Sequence, residues 1–175
     1  QQTTQYLRDP KGQLVTEILP TGEIQTHTYD LVGNKLSTTD SSGRTTTYQY
    51  DVMNRLVTEL HSDGVVICRT YSPSGLLLTI SSGNDVTRFE YDERGRQIAR
   101  IDPNGQSVRS TYDVAGNRIA VQSSAGMIRY EYDAARRLNK ITSPANEVTQ
   151  YSYNSAGELI RTQFPNGTEQ TLIRS

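Results

Sequence analysis

The sequence predicts an all-β chain: an array of about eight antiparallel β-hairpin repeats. Three observations carry that expectation. A tyrosine recurs every 20 or 21 residues, a turn-forming residue is fixed behind it, and side-chain character alternates in the segments before it.

The anchor tyrosines are Tyr29, Tyr50, Tyr71, Tyr91, Tyr112, Tyr132 and Tyr153, with successive differences of 21, 21, 20, 21, 20 and 21. Counting back 21 from Tyr29 gives Arg8, which opens an Asp9-Pro10-Lys11-Gly12 turn without its tyrosine. Residues 1–175 therefore read as a single repeat array anchored at Arg8 and those seven tyrosines, incomplete at both ends.

Behind each anchor stands Asp9, Asp30, Asp51, Ser72, Asp92, Asp113, Asp133 or Asn154. All have a short side-chain oxygen that can bond backbone N–H groups two or three residues on and close a turn. Three residues later come Gly12, Gly33, Asn54, Gly75, Gly95, Gly116, Arg136 and Gly157. Gly and Asn tolerate positive φ, so Arg136 is the one departure from the pattern. An aliphatic residue then opens the next strand: Leu14, Leu36, Leu56, Leu77 (or Leu76), Ile98, Ile119, Leu138 and Leu159. A second turn follows, marked by Gly22, Gly43, Gly64, Gly83-Asn84, Gly105, Gly126, Asn146 and Gly167. Two turns in about 21 residues leave two strands of roughly 5–6 residues each. Each unit is one hairpin.

Two residues before the anchors stand Tyr6, His27, Tyr48, Arg69, Phe89, Ser110, Tyr130 and Tyr151. Positions i and i+2 share a face of a strand, so all 11 tyrosines fall on one face in two rows. The opposite face reads Thr28, Gln49, Thr70, Glu90, Thr111, Glu131 and Ser152, a wet face. Gly, Pro or Asn breaks the chain about every ten residues, which leaves no room for a helical stripe.

Composition agrees with a thin structure. Hydrophobic residues make up 34% of the chain, below the usual ~45–50% of globular domains. The formal net charge of −1, from 18 basic and 19 acidic residues spread along the chain, does not steer it towards nucleic acid or anionic lipid. A single cysteine, Cys68, cannot make an intramolecular disulfide. The N-terminal Gln1-Gln2-Thr3-Thr4-Gln5 has no signal-peptide character, and apolar runs such as Val65-Val66-Ile67-Cys68 are far shorter than a membrane helix. No membrane insertion is expected.

The signature Tyr-Asp-x-x-Gly-Arg/Asn-x-Leu, followed by a turn and a Thr-x-Tyr-x-Tyr strand, resembles the Rhs or YD-repeat family. Tyr48-Gln49-Tyr50-Asp51-Val52-Met53-Asn54-Arg55-Leu56 and Tyr112-Asp113-Val114-Ala115-Gly116-Asn117-Arg118-Ile119 carry the likeness, which extends over essentially the whole chain. That family includes bacterial Rhs polymorphic toxins, wall-associated proteins, the C component of insecticidal toxin complexes, and animal teneurins. The resemblance implies hairpins laid side by side in a curved or spiralling strip of sheet, a fragment of a shell that encloses a toxin segment or forms part of an adhesive ectodomain. Neither a self-cleaving protease core nor a non-repetitive toxin tip is found among the 175 residues, so a piece from the middle of a larger protein is expected.

Candidate chemistry is sparse. The recurring aspartates suggest calcium, but equivalent carboxylates two strands apart would be roughly 9.6 Å from one another, and calcium needs six to eight ligands within about 2.6 Å. Turn capping is the expected role. His27 falls in the aromatic row as a filler for tyrosine, His61 beside the Ser62-Asp63-Gly64 turn is expected to be solvated, and Cys68 on the wet face is incidental. No nucleophile elbow, phosphate loop, His-Glu-x-x-His or Cys-x-x-Cys is present. No catalytic, cofactor-binding or metal residues are expected, no cofactor, and no enzyme. The rings are expected to pack against their neighbours one repeat over rather than bind a sugar.

The expected function is a structural segment of a larger exported protein, secreted or at the cell surface, helping to enclose or present a toxin or other cargo. The alternative is an adhesion module for a glycan or a cell-surface protein. Expected partners are the rest of the parent chain and an enclosed toxin segment. Unpaired strand edges at either end also suggest self-association.

Overall fold

The computed structural model describes residues 3–172. The described residues form strands, turns and bends with no helix. The chain divides into two compact units, Gln1–Thr87 and Arg88–Ser175.

The first unit holds β1 (Gln5–Arg8), β2 (Leu14–Ile18), β3 (Ile24–Tyr29), β4 (Lys35–Thr39), β5 (Thr45–Tyr50), β6 (Leu56–Leu60), β7 (Val66–Tyr71) and β8 (Leu77–Ser82). It also holds the start of β9 (Asp85–Tyr91). The second holds the rest of β9, then β10 (Gln97–Ile101), β11 (Ser107–Tyr112), β12 (Arg118–Ser123), β13 (Gly126–Tyr132), β14 (Leu138–Thr142), β15 (Val148–Tyr153), β16 (Leu159–Gln163) and β17 (Glu169–Thr171). Within each unit every strand pairs antiparallel with its neighbours in sequence. Threonine, valine, isoleucine and tyrosine fill these short segments because branched and aromatic side chains suit a pleated surface.

One turn geometry recurs. In the Asp30 turn, the Asp30 N–H donates to the Asn34 carbonyl at 2.9 Å and the Gly33 N–H donates back to the Asp30 carbonyl at 3.3 Å. Gly33 has φ +100, as the left-handed residue of a three-residue hairpin loop must. The same pair of bonds closes all eight turns behind the anchors. It also closes the second turns opened by Leu19, Asp40, His61, Asp102, Ser143 and Phe164. Arg136, the departure in sequence, makes no departure in backbone: its φ is +61, beside +58 for Asn54 and +63 for Asn146.

The 20-residue spacings have a local cause. Ser82 and Asp85 end and begin strands, so Gly83-Asn84 is a two-residue loop. Ser123 pairs with Gly126 across Ser124-Ala125 in the same way. These two turns fall within the 20-residue steps, Tyr71 to Tyr91 and Tyr112 to Tyr132. One residue is lost from the loop, and the inward row keeps its face.

Each anchor also sits at a β-bulge. Thr28 faces Ser37 while Tyr29 faces Lys35, so Leu36 is an extra residue in β4. Equivalent shifts occur at Arg8, Tyr50, Tyr71, Tyr112, Tyr132 and Tyr153. The aliphatic row read from the sequence is therefore two rows. Leu14, Leu56, Leu77, Leu138 and Leu159 face their anchors directly, whereas Leu36, Ile98 and Ile119 are the extra residues. Two residues oppose one at a bulge, so the apolar side chain is accepted at either position.

There is almost no conventional core. Among the described residues only Ala99 is a buried hydrophobe, joined by the polar His27 and Thr162. Burial instead alternates along the strands. In β7, Ile67, Arg69 and Tyr71 are half-buried, and Val66, Cys68 and Thr70 are exposed.

Candidate functional site

The densest network joins each anchor turn to the next repeat. The Tyr29 phenol donates to the Leu14 carbonyl at 2.8 Å, Tyr50 to Lys35 at 2.9 Å, and Tyr71 to Leu56 at 2.9 Å. In the second unit, Tyr112 donates to Gln97 at 3.1 Å, Tyr132 to Arg118 at 2.9 Å and Tyr153 to Leu138 at 2.7 Å. Every acceptor is the residue facing the preceding anchor at its bulge, where the ladder is interrupted and a carbonyl is freed. Ring packing was expected; the phenol bond was not. One signal was available in the sequence. The seven aromatic anchors are all Tyr, while the row two residues earlier accepts His27, Arg69, Phe89 and Ser110.

The aspartates cap turns. Asp30 Oδ1 accepts the backbone N–H groups of Val32 and Asn34, two and four residues on. The same pair of contacts occurs at Asp9, Asp51, Asp92 and Asp133. In alternate repeats an arginine extends the cap. Arg55 donates Nε to Asp51 Oδ2 at 2.7 Å, reaches the Ser72 carbonyl with Nη1 at 3.1 Å, and lies 4.7 Å from the centre of the Tyr71 ring. Arg96 repeats this with Asp92, the Asp113 carbonyl and Tyr112, and Arg137 with Asp133, the Asn154 carbonyl and Tyr153. The Arg55 and Arg96 guanidinium groups hold the carboxyls of Asp51 and Asp92 below the usual carboxylate value, helped by backbone N–H donors. At Asp133 the backbone N–H of Arg137 is the largest cause of the same shift. Burial raises the Tyr50 phenol, with Tyr48 and Asp30 adding to it, so Tyr50 stays a neutral donor.

His27 lies in the aromatic row and is buried, its Nδ1 3.1 Å from Thr38 Oγ1. Burial lowers its pKa, with Lys35 adding to the effect and Glu17 opposing it. His61 departs from the solvated state expected of it. Its Nε2 is 3.2 Å from Glu59 Oε1 and its Nδ1 3.3 Å from Thr46 Oγ1, and Glu59 also pairs with Arg69 at 3.0 Å. The turn returns His61 to the face of the aromatic row, where those partners lie. Cys68 is free and exposed on the opposite face.

The two kinds of turn differ at their tips. Three of the eight turn tips behind the anchors expose large apolar residues, Leu31 and Val32, Val52 and Met53, and Val114, with Val52 98% and Leu31 91% accessible; the other five are Pro10-Lys11, Pro73-Ser74, Glu93-Arg94, Ala134-Ala135 and Ser155-Ala156. The tips of the second turns are instead Pro20-Thr21, Ser41-Ser42, Ser62-Asp63, Gly83-Asn84, Pro103-Asn104, Ser124-Ala125, Pro144-Ala145 and Pro165-Asn166.

The Teneurin YD-shell model matches residues 61–173, more than half of the chain. The chain belongs to the teneurin YD-shell family. The RHS Repeat model matches residues 29–66 of this YD-shell chain. Among solved structures, the Photorhabdus luminescens Tc holotoxin pore carrying a TccC3 mutation is similar at 18% identity and TM-score 0.69, over 93% of this chain and 12% of that one. The crystal structure of TcdB2-TccC3-Cdc42 is similar at 18% identity and TM-score 0.68, over 92% and 12%. TcdB2-TccC3 alone gives 18% and 0.68, over 91% and 12%. These likenesses show the fold, and the YD-shell chain spans about 12% of the length of those chains. No curated protein matches the sequence.

Proposed function

We propose that residues 1–175 are one uninterrupted, non-catalytic array that builds part of a shell in a larger exported YD-repeat protein, enclosing or presenting a toxin or other cargo. The observation that carries this reading is the pair of neighbouring apolar turn tips in the second and third repeats. Leu31, Val32, Val52 and Met53 occupy turn tips where polar residues are the rule, and exposed apolar groups on this scale mark surfaces that meet other protein. The phenol-to-carbonyl bonds add a means of extending the sheet repeat by repeat with almost no core. Under this reading the partners are the rest of the parent chain and its cargo, the location is secreted or cell-surface, and neither nucleic acid nor a membrane interior is involved.

The test is limited proteolysis of the parent protein, as wild type and as Leu31→Asp/Val52→Asp. A segment outside the repeats should be protected in the wild type and cleaved in the variant. A parent in which every segment outside the repeats is digested at the same rate as a free peptide would sink the proposal.

The adhesive reading needs a different surface. Six anchor phenols are committed to backbone carbonyls on the tyrosine face.

A further inference from the structure

Two second turns of the second unit share the run Pro-Asn-Gly: Pro103-Asn104-Gly105 and Pro165-Asn166-Gly167. Their backbones match. The Gly105 N–H donates to the Asp102 carbonyl at 2.9 Å, and the Gly167 N–H to the Phe164 carbonyl at 3.0 Å. Gly105 has φ +82 and Gly167 has φ +80. In each turn the asparagine Oδ1 accepts the backbone N–H two residues on, from Gln106 or from Thr168, at 3.0 Å. Asparagine suits this place because its short side chain closes the turn on its own backbone.

The residue after the glycine separates them. Thr168 Oγ1 also donates to Asn166 Oδ1, at 2.7 Å, where the other turn has the side chain of Gln106. The Asn104 turn closes without a hydroxyl, so closure does not account for Thr168. What Thr168 adds is the run Asn166-Gly167-Thr168, an asparagine with threonine two residues on and no proline between. Enzymes that link a sugar to an asparagine nitrogen read that pattern. Of the nine asparagines in the chain, only Asn166 has Ser or Thr at that distance.

The turn presents the group for reaction. Pro165, Asn166, Gly167 and Thr168 are all exposed. Both bonds from Thr168 fall on Oδ1, so among the described residues the Asn166 Nδ2 keeps both of its hydrogens unengaged. A Cβ built on Gly167 would meet nothing within 4 Å, which leaves an open approach beside the amide. Amide and hydroxyl are thus held together on one solvent-facing tip, where a single enzyme can contact both.

We propose that Asn166 is a glycosylation site, its Nδ2 accepting a sugar from a donor that carries a diphosphate on the anomeric carbon. The Nδ2–C1 bond forms as the C1–O bond to the diphosphate breaks. The diphosphate leaves with the bonding electron pair, and Nδ2 gives up one proton to a base of the transferase. Nothing is oxidised or reduced. Two donors share this chemistry, a polyprenyl-diphosphate oligosaccharide and a nucleoside-diphosphate sugar. The site stands apart from the cargo reading, which uses the turns behind the anchors.

The test offers the folded 175-residue chain to both donors. One arm holds UDP-glucose and a soluble asparagine glucosyltransferase. The other holds a dolichyl-diphosphate oligosaccharide and a single-subunit oligosaccharyltransferase. Peptide mass spectrometry then locates any addition. At least one arm should place a sugar on Asn166 and none on Asn104, and the arm that does so identifies the donor. Thr168→Gln, which copies the Gln106 turn, should lose the addition. Gln106→Thr should create a second acceptor at Asn104. Each change puts into one turn a residue that the matching turn already accepts, so the fold is kept. No addition in either arm, addition only after unfolding in urea, or equal addition at Asn104 in the wild type would each overturn the proposal.

Discussion

Tyr50 donates its phenol to the carbonyl of Lys35, and Lys35 is the residue that faces Tyr29 at the preceding bulge. Tyr29, Tyr50, Tyr71, Tyr112, Tyr132 and Tyr153 therefore each heal the ladder defect made by the anchor before them. A net hydrogen bond of this kind contributes about 0.5–1.5 kcal/mol, and with so little core it is a principal stabilising interaction between repeats.

Tyr50→Phe should lower unfolding stability by about 0.5–1.5 kcal/mol. Tyr48→Phe should cost less, because the Tyr48 hydroxyl makes no hydrogen bond among the described residues. Urea unfolding of the two variants checks this. Equal losses would mean that the ring, and not the phenol, holds the repeats.

The left-handed turn positions give an opposed pair. Gly116 has φ +96, so Gly116→Val places a β-branched residue where it is strained, whereas Thr111→Val changes an exposed strand position. The first should unfold at markedly lower temperature than the second. Arg136→Gly should act in the other direction. It relieves a left-handed conformation that costs a non-glycine residue roughly 1–2 kcal/mol, against about 0.5–1 kcal/mol of added chain entropy, for a small net gain in melting temperature.

Acid should destabilise the chain in two stages. His27 has a folded pKa below its usual 6.5, so the unfolded state binds the proton more readily. Its contribution is complete above the unfolded value and is lost as pH falls towards the folded one. Asp51 and Asp92 are depressed from 3.8; their contribution is present above that value and lost below it as the capped carboxylates protonate. Melting temperature should fall between about pH 7 and pH 5, then again below about pH 4. His27→Tyr should remove the first fall and keep the second.

The anchors, both turns and the alternation of faces were legible in the sequence because each is local: a tyrosine, a short capping side chain, a glycine. What needed the structure was register. Leu36 and Leu56 look equivalent in sequence, yet only the ladder shows that Leu56 faces Tyr50 while Leu36 is the residue left over. The same holds for the short steps, where Gly83-Asn84 and Ser124-Ala125 absorb the missing residue in a change of loop length. Contacts between repeats, such as Arg55 on Tyr71 or His61 with Glu59 and Thr46, depend on that register and were hidden for the same reason.

The arginine caps predict uneven coupling along the array. Arg55, Arg96 and Arg137 are 41 residues apart, so arginine joins alternate pairs of neighbouring repeats. Leu76 holds the equivalent position in the fourth repeat and Asn117 in the sixth. In the second unit, Arg96 lies 4.6 Å from the centre of the Tyr112 ring while its Nη1 reaches the Asp113 carbonyl at 3.3 Å. Lysine keeps the charge but has no planar group to stack on the ring while bonding both Asp92 and that carbonyl. Arg96→Lys should therefore lose about 0.5–1 kcal/mol of stacking, and the loss should be spatially selective. Amide exchange should quicken at Asp113 to Gly116, the turn that Arg96 braces, and stay unchanged at Asn154 to Gly157, which Arg137 braces. Arg137→Lys should reverse that pattern. Uniform quickening of both turns in either variant would show that the arginines stabilise the sheet as a whole, and the pairing of repeats would have to be abandoned.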